Sequence, residues 1–169
     1  MLNERTALIT RVFLVSEKLN IEKTMVDRVI KAYLSFCKDE LRCGHRVNFF
    51  DMAMVVPDYE VYDYKTTFAY KCRQVAIDSN LPETTVLYVI REYLGTIRDD
   101  ILNGKSANIF GIMTMTPYFE EGVVTRLHSS ISQTLQSYLS EYSNHARVYT
   151  NKRFKRYVKG VEIHDRKDT

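Results

Sequence analysis

Thirteen residues near the C-terminus carry six cations and no acid: Arg147, Lys152, Arg153, Lys155, Arg156 and Lys159. Val148, Phe154, Tyr157 and Val158 interleave with them, and Val161 and Ile163 follow. Basic side chains set between aromatics can grip a phosphate backbone while rings stack on bases. They can equally dock on the acidic face of a neighbouring subunit, where charge sets register and partner choice. A solvated cationic tail is the third reading. Residues 143–169 hold eight basic and three acidic side chains, whereas residues 1–142 hold 16 and 18. That asymmetry points the segment at an anionic partner, but the mildly acidic remainder falls short of a dedicated nucleic-acid binder.

A second group is aromatic. Tyr59, Tyr62, Tyr64 and Tyr70 cluster in one short stretch. A tyrosine-rich, amphipathic segment has the composition of a protein interface. Tyr33, Tyr93 and Tyr138 fall on apolar stripes and are expected in a core.

Catalytic chemistry finds little support. Asp39-Glu40 and Asp99-Asp100 are paired carboxylates, but each pair flanks an apolar stripe near a helix end and is expected on a solvated face. There is no glycine-rich phosphate loop, GxSxG, HExxH or calcium-loop pattern. His45, His128, His145 and His164 lack metal-ligand spacing. Cys37, Cys43 and Cys72 are odd in number with no CxxC, and Cys37 sits on an apolar helix face, which fits a reduced core thiol and a reducing compartment. The expectation is a protein without enzymatic activity, cofactor or metal. No apolar run approaches the roughly 18–20 residues that cross a bilayer, and the charged, interrupted N-terminus does not read as a signal peptide.

The elements that position these groups come from a duplication. Residues 20–59 and 80–119 align without a gap at an offset of 60, and twelve of forty positions are identical, among them Asn20/Asn80, Tyr33/Tyr93, Gly44/Gly104, Phe50/Phe110 and Pro57/Pro117. Val26, Val29, Ile30, Tyr33, Leu34, Cys37 and Leu41, with their counterparts 60 residues on, predict a helix of about 20 residues in each copy. Gly44 and Gly104 are placed to cap it in the left-handed conformation. Short aromatic and β-branched runs then predict a β-hairpin, stopped by Pro57 or Pro117. A preceding helix is expected over 4–19 and again over 66–78. Residues 126–142, with Leu127, Ile131, Leu135, Tyr138, Leu139 and Tyr142 at helical spacing, predict a further helix. The near-alternation over 153–158 predicts a strand or hairpin with one charged face.

This unit resembles the bacterial histone-like HU and integration host factor proteins. The likeness rests on the helix pair, on Gly44-His45-Arg46-Val47 after the long helix, and on the hairpin turn Ile109-Phe110-Gly111-Ile112, where the first copy has Asp51 for glycine. It covers residues 4–57 and 66–117. The resemblance implies an α+β fold of two tandem helix–helix–hairpin units, 1–60 and 61–120, with a C-terminal helix and short basic extension over 121–169. It also implies pairing of the two units like the family's dimer. The family's DNA-binding arms are basic and carry a wedging proline. Here the insertion points read DYEVYDYK and YFEEGVVT, brief acidic connectors, so no family DNA contact carries over. Arm-less relatives resemble ring proteins of the portal and tail of tailed bacteriophages. The resemblance therefore implies a virion structural protein, an oligomeric ring made in the host cytoplasm, whose partners are copies of itself and neighbouring virion proteins. The alternative is an architectural DNA-binding protein that uses the basic C-terminal segment.

Overall fold

The computed structural model describes residues 5–62 and 67–161. The fold is α+β, with six helices and two three-stranded antiparallel sheets among the described residues. In chain order the elements are α1 (Leu8–Leu19), α2 (Lys23–Arg42), β1 (Val47–Phe49), β2 (Ala53–Pro57), α3 (Phe68–Ser79), α4 (Glu83–Leu102), β3 (Ala107–Ile109), β4 (Met113–Glu120), β5 (Val123–Ile131), α5 (Gln133–Ser140), β6 (Ala146–Thr150) and α6 (Lys152–Val158).

The helical stripes fold as their spacing dictates. All seven stripe residues of α2 are buried, and so are all seven of α4. Each such side chain contributes about 1.5–3 kcal/mol when withdrawn from water. Both long helices end alike. The Gly44 N–H donates to Leu41 O (3.1 Å) and the His45 N–H to Glu40 O (2.8 Å); Gly104 and Lys105 repeat this on Ile101 (3.0 Å) and Asp100 (2.8 Å). Gly44 (φ 89°) and Gly104 (φ 79°) supply the left-handed residue that this double closure needs. The shared asparagines do the same for the first helices: Asn20 (φ 54°) ends α1 and Asn80 (φ 53°) ends α3.

The two copies interlock. α1 packs on α2 and also on α4, and α3 likewise packs on both long helices, so one core contains all four. The ion pairs follow the same exchange. Arg11 of α1 donates to Asp100 of α4 at 2.8 Å, and Lys71 of α3 lies 3.7 Å from Glu40 of α2. Each pair becomes the other under the 60-residue offset. Arg11 and Lys71 are both 1% exposed. The carboxylates expected on a solvated face are thus only half so: Asp39 and Asp99 are exposed, whereas Glu40 and Asp100 partner buried cations.

The sheets obey the same offset. Their orders are β1-β2-β6 and β3-β4-β5. β6 meets β2 with Ala53↔Thr150 and Val56↔Arg147 paired, while β5 meets β4 with Met113↔Ile131 and Thr116↔His128. Moving β2 by 60 and β6 by 19 residues converts one register into the other. The backbone bond from Asn151 N to Met52 O (2.8 Å) similarly becomes Ser132 N to Ile112 O (2.9 Å). The second unit therefore completes itself with β5 and α5, whereas the first receives its third strand and helix, β6 and α6, from the far end of the chain. α5 packs at the end of α2, where Tyr138 Oη donates to Asp39 (2.9 Å); α6 packs at the end of α4, where the Arg98 guanidinium lies over Phe154 (5.4 Å).

Four expectations are corrected. Residues 123–131 form strand β5, and only Gln133–Ser140 is helical, because β-branched Val123 and Val124 pair with β4 and Leu127 buries on a period-two face as readily as on a helical one. The stretch over 153–158 is helical, because Asn151 caps it by accepting from Phe154 N (3.0 Å) and Phe154 and Val158 bury together one turn apart. Pro117 does not stop its strand. Beyond Met115, β4 has only β5 as a partner, so its other edge is open and a proline is tolerated. The second connector is not brief: β4 and β5 form a ribbon turning at Glu121 (φ 54°) and Gly122 (φ 81°), the two-residue loop with both φ positive that suits a hairpin. Its tip carries Glu120 and Glu121, so the ribbon is acidic there.

Removing one partner of a buried pair strands the other. Asp100 keeps some access to water, so Arg11→Ala is expected to cost about 2–3 kcal/mol in urea unfolding at unchanged m-value, and Arg11→Met with Asp100→Leu to recover most of it. Equal stability of Arg11→Ala and the parent would contradict the pairing.

Candidate interaction surface

The linker after β2 turns the chain across the end of α2, and its backbone is held at successive residues. Asp58 N donates to His145 O (2.8 Å), Tyr59 N to Asn144 Oδ1 (3.2 Å) and Val61 N to Gly44 O (2.7 Å). Between these, Arg46 forks onto the Glu60 carboxylate through Nε and Nη2 (2.9 Å to Oε1 for the latter). That hydrogen bond holds the Glu60 carboxyl below its ordinary range and raises Arg46. Gly44 is needed here twice over. Its φ is left-handed, and a Cβ would lie 2.9 Å from Tyr59 O.

With the backbone pinned inward, the side chains point out. Tyr59 is 74% exposed, Val61 56% and Tyr62 85%. Aromatic surface of this extent on a fixed backbone loses little entropy when covered. Tyr70 stands apart, half-buried in the first turn of α3, and Tyr64 lies outside the described residues. Nothing in the sequence flagged Arg46, Glu60 or the buried Asn144 as the linker's anchors, since their partners are brought in by the fold.

The cationic residues separate into three settings. Arg147 of β6 pairs with Asp58 at 3.4 Å. Lys155 is half-buried on α6, and Lys159 stands exposed at its end. Lys152, Arg153 and Arg156 converge on a groove of about 710 Å³ between α6 and the outer face of the first sheet, which they line with Asn48, Met54, Tyr149 and Phe50. Asn48, Met54 and Tyr149 are cross-strand neighbours in register. Asp51 also borders the groove, but Arg98 engages it at 3.3 Å. Phe50 adopts φ 50°, an unusual conformation for a bulky side chain; in the second copy the left-handed residue is Gly111 (φ 73°). Asp51 in place of that glycine leaves Phe50 to carry the turn, and its ring packs on Phe68 at 4.7 Å between centroids.

The repeat separates what the fold requires from what it does not. Lys152, Arg153 and Arg156 correspond to Gln133, Thr134 and Ser137 on α5, so the same backbone stands without the charges. Exposed Ile9, Phe13 and Leu14 of α1 correspond to Ala69, Arg73 and Gln74 of α3. Ile9 and Phe13 line a second groove, of about 660 Å³, with Phe110. The sequence reading overlooked this apolar face, although an outward Ile and Phe beside a buried Val12 and Val15 were its signal.

Burial pushes the Cys37 thiol up to about 12 and Cys72 to about 11, and burial likewise raises Tyr33 and takes Tyr93 to about 12. Tyr93 Oη accepts from Phe110 N (3.1 Å), a structural use. Among the described residues no cluster of metal-ligating side chains occurs, and no helix is long and apolar enough to cross a membrane. No protein-family model matches the chain, and no curated protein or solved structure matches it.

Two expectations follow. Gly44→Ala should cost about 1–3 kcal/mol through its left-handed φ and the close carbonyl, read as a fall in the denaturation midpoint; an unchanged midpoint would show that the linker does not cross there. At pH 8 a thiol reagent should label native protein at exposed Cys43 and reach Cys37 and Cys72 only on unfolding. Rapid labelling of three thiols in the native state would contradict the buried placement.

Proposed function

We propose that the chain is a non-enzymatic structural subunit that acts by assembling with other proteins. We further propose that it is built as an arm-less HU- and integration-host-factor-like pseudo-dimer and serves as a ring component of the portal–tail region of a tailed bacteriophage virion. The observation that carries the assembly reading is the linker strip. Tyr59, Val61 and Tyr62 stand exposed on a backbone tied down by Gly44, Asn144 and His145, with Arg46 holding the Glu60 side chain among them. Large aromatic side chains held out in water by an ordered support mark a surface that is covered when the protein is at work. The exchange of ion pairs and helix contacts between the copies supports the pseudo-dimer.

One observation favours a second reading, an architectural DNA-binding protein. Lys152, Arg153, Arg156 and Lys159 are exposed beside exposed Tyr149 and Tyr157, a pairing of charge and ring that suits phosphate and base.

Static light scattering against concentration, together with duplex-DNA binding against salt, separates the two. The assembly reading expects mass to rise with concentration, and Tyr59→Ser with Tyr62→Ser to weaken association about tenfold or more without loss of helical signal. A chain that stays monomeric but binds duplex with a log–log salt slope of several, at about 0.9 per phosphate contacted, would overturn it.

A further inference from the structure

We infer that the cationic groove of one copy receives the acidic ribbon tip of a second copy, a head-to-tail contact; this rests on the assembly reading and gives it a direction. The two units share their helices and sheet order but carry opposite additions. The first has Lys152, Arg153 and Arg156 around its groove, where the second has Gln133, Thr134 and Ser137. Among the described residues none of the three is in an ion pair, and the groove's own carboxylate, Asp51, is engaged by Arg98. The second unit has the ribbon, whose strands run on past Pro117 to exposed Glu120 and Glu121, whereas the first unit's second strand ends at Pro57. Neither glutamate is in an ion pair among the described residues. A strand-and-helix addition that stands without these cations as β5–α5 holds them as β6–α6 for a purpose outside the fold.

The parts are complementary in form as well. The ribbon ends in a two-residue loop, narrow and fixed in conformation, so docking it costs little ordering. Its two carboxylates face three cations, with Tyr149 and Phe50 on the groove and Tyr118 behind the tip supplying apolar contact. A phosphate backbone would satisfy the groove but leave the acidic tip without a role. Because donor and acceptor patches differ, the contact is heterologous. Repetition then closes a ring or extends a filament, according to the rotation between copies.

The test is charge reversal in the full chain, followed by sedimentation velocity. Lys152→Glu/Arg153→Glu/Arg156→Glu alone and Glu120→Lys/Glu121→Lys alone should each weaken self-association at least about tenfold. An equimolar mixture of the two should form complexes that neither forms by itself, and all five substitutions in one chain should restore association. All sites are exposed, and circular dichroism verifies the fold. Association that survives both single-class reversals overturns this inference while leaving the assembly reading in place; wild-type protein that never associates overturns both. Loss of duplex binding in the groove variant, with association unaltered, would make the groove a nucleic-acid surface and refute the ribbon as its occupant.

Discussion

Arg11 and Lys71 are buried cations, and each is held by a carboxylate from the other half of the chain: Asp100 for the first and Glu40 for the second. A buried charge without a partner costs several kcal/mol, so neither half can close its own core and leave the other aside. Thr6 Oγ1 adds a bond to Asp100 at 2.7 Å, and Thr96 accepts from Arg11 at 3.2 Å. This reciprocal constraint fixes α1 on α4 and α3 on α2. The interlocked helices then place each hairpin turn against the opposite half: Phe50 on Phe68, Asp51 on Arg98, and Phe110 beside Leu8.

An internal duplication offers a control that most single chains lack. Where two positions share backbone geometry, burial and register, a difference in side chain cannot be a demand of the fold. By that standard the buried stripes, the asparagine and glycine caps and the exchanged ion pairs are structural. The α6 cations and the outward face of α1 are not. Both lie on the surface and each occurs in one half only, while the acidic ribbon tip and the aromatic linker stand where the two backbones themselves diverge. Such asymmetric decoration suits a subunit whose neighbours differ on its two sides.

The sequence revealed the helices and the first hairpin most clearly, because a seven-residue apolar stripe repeated at fixed offset has one periodic solution, and left-handed glycine ends it. It concealed Arg11 and Lys71, since an isolated cation in an amphipathic helix reads as surface; the clue lay in like charges at matched positions, Arg11 with Lys71 and Glu40 with Asp100. The C-terminal third was harder for two reasons. Six residues of mixed charge and apolar character, such as Arg153–Val158, satisfy periods of two and 3.6 alike until the Asn151 cap decides. And the β5–α5 and β6–α6 segments share one identity over fourteen aligned positions, Tyr138 with Tyr157, so their equivalence appears only in the registers they make with β4 and β2. Of the candidate site, residue types were readable and grouping was not: Arg147 pairs with Asp58, while Lys152, Arg153 and Arg156 gather only because their helix follows a strand added to the first sheet.

The claim that this chain works as an assembly subunit is tested most directly by electron microscopy of the concentrated, purified protein in low-salt and in high-salt buffer. The account predicts closed rings of uniform size, with the linker tyrosines at the seams between neighbours. Dispersed single particles in both buffers, which gather along added duplex DNA only at low salt, would contradict it.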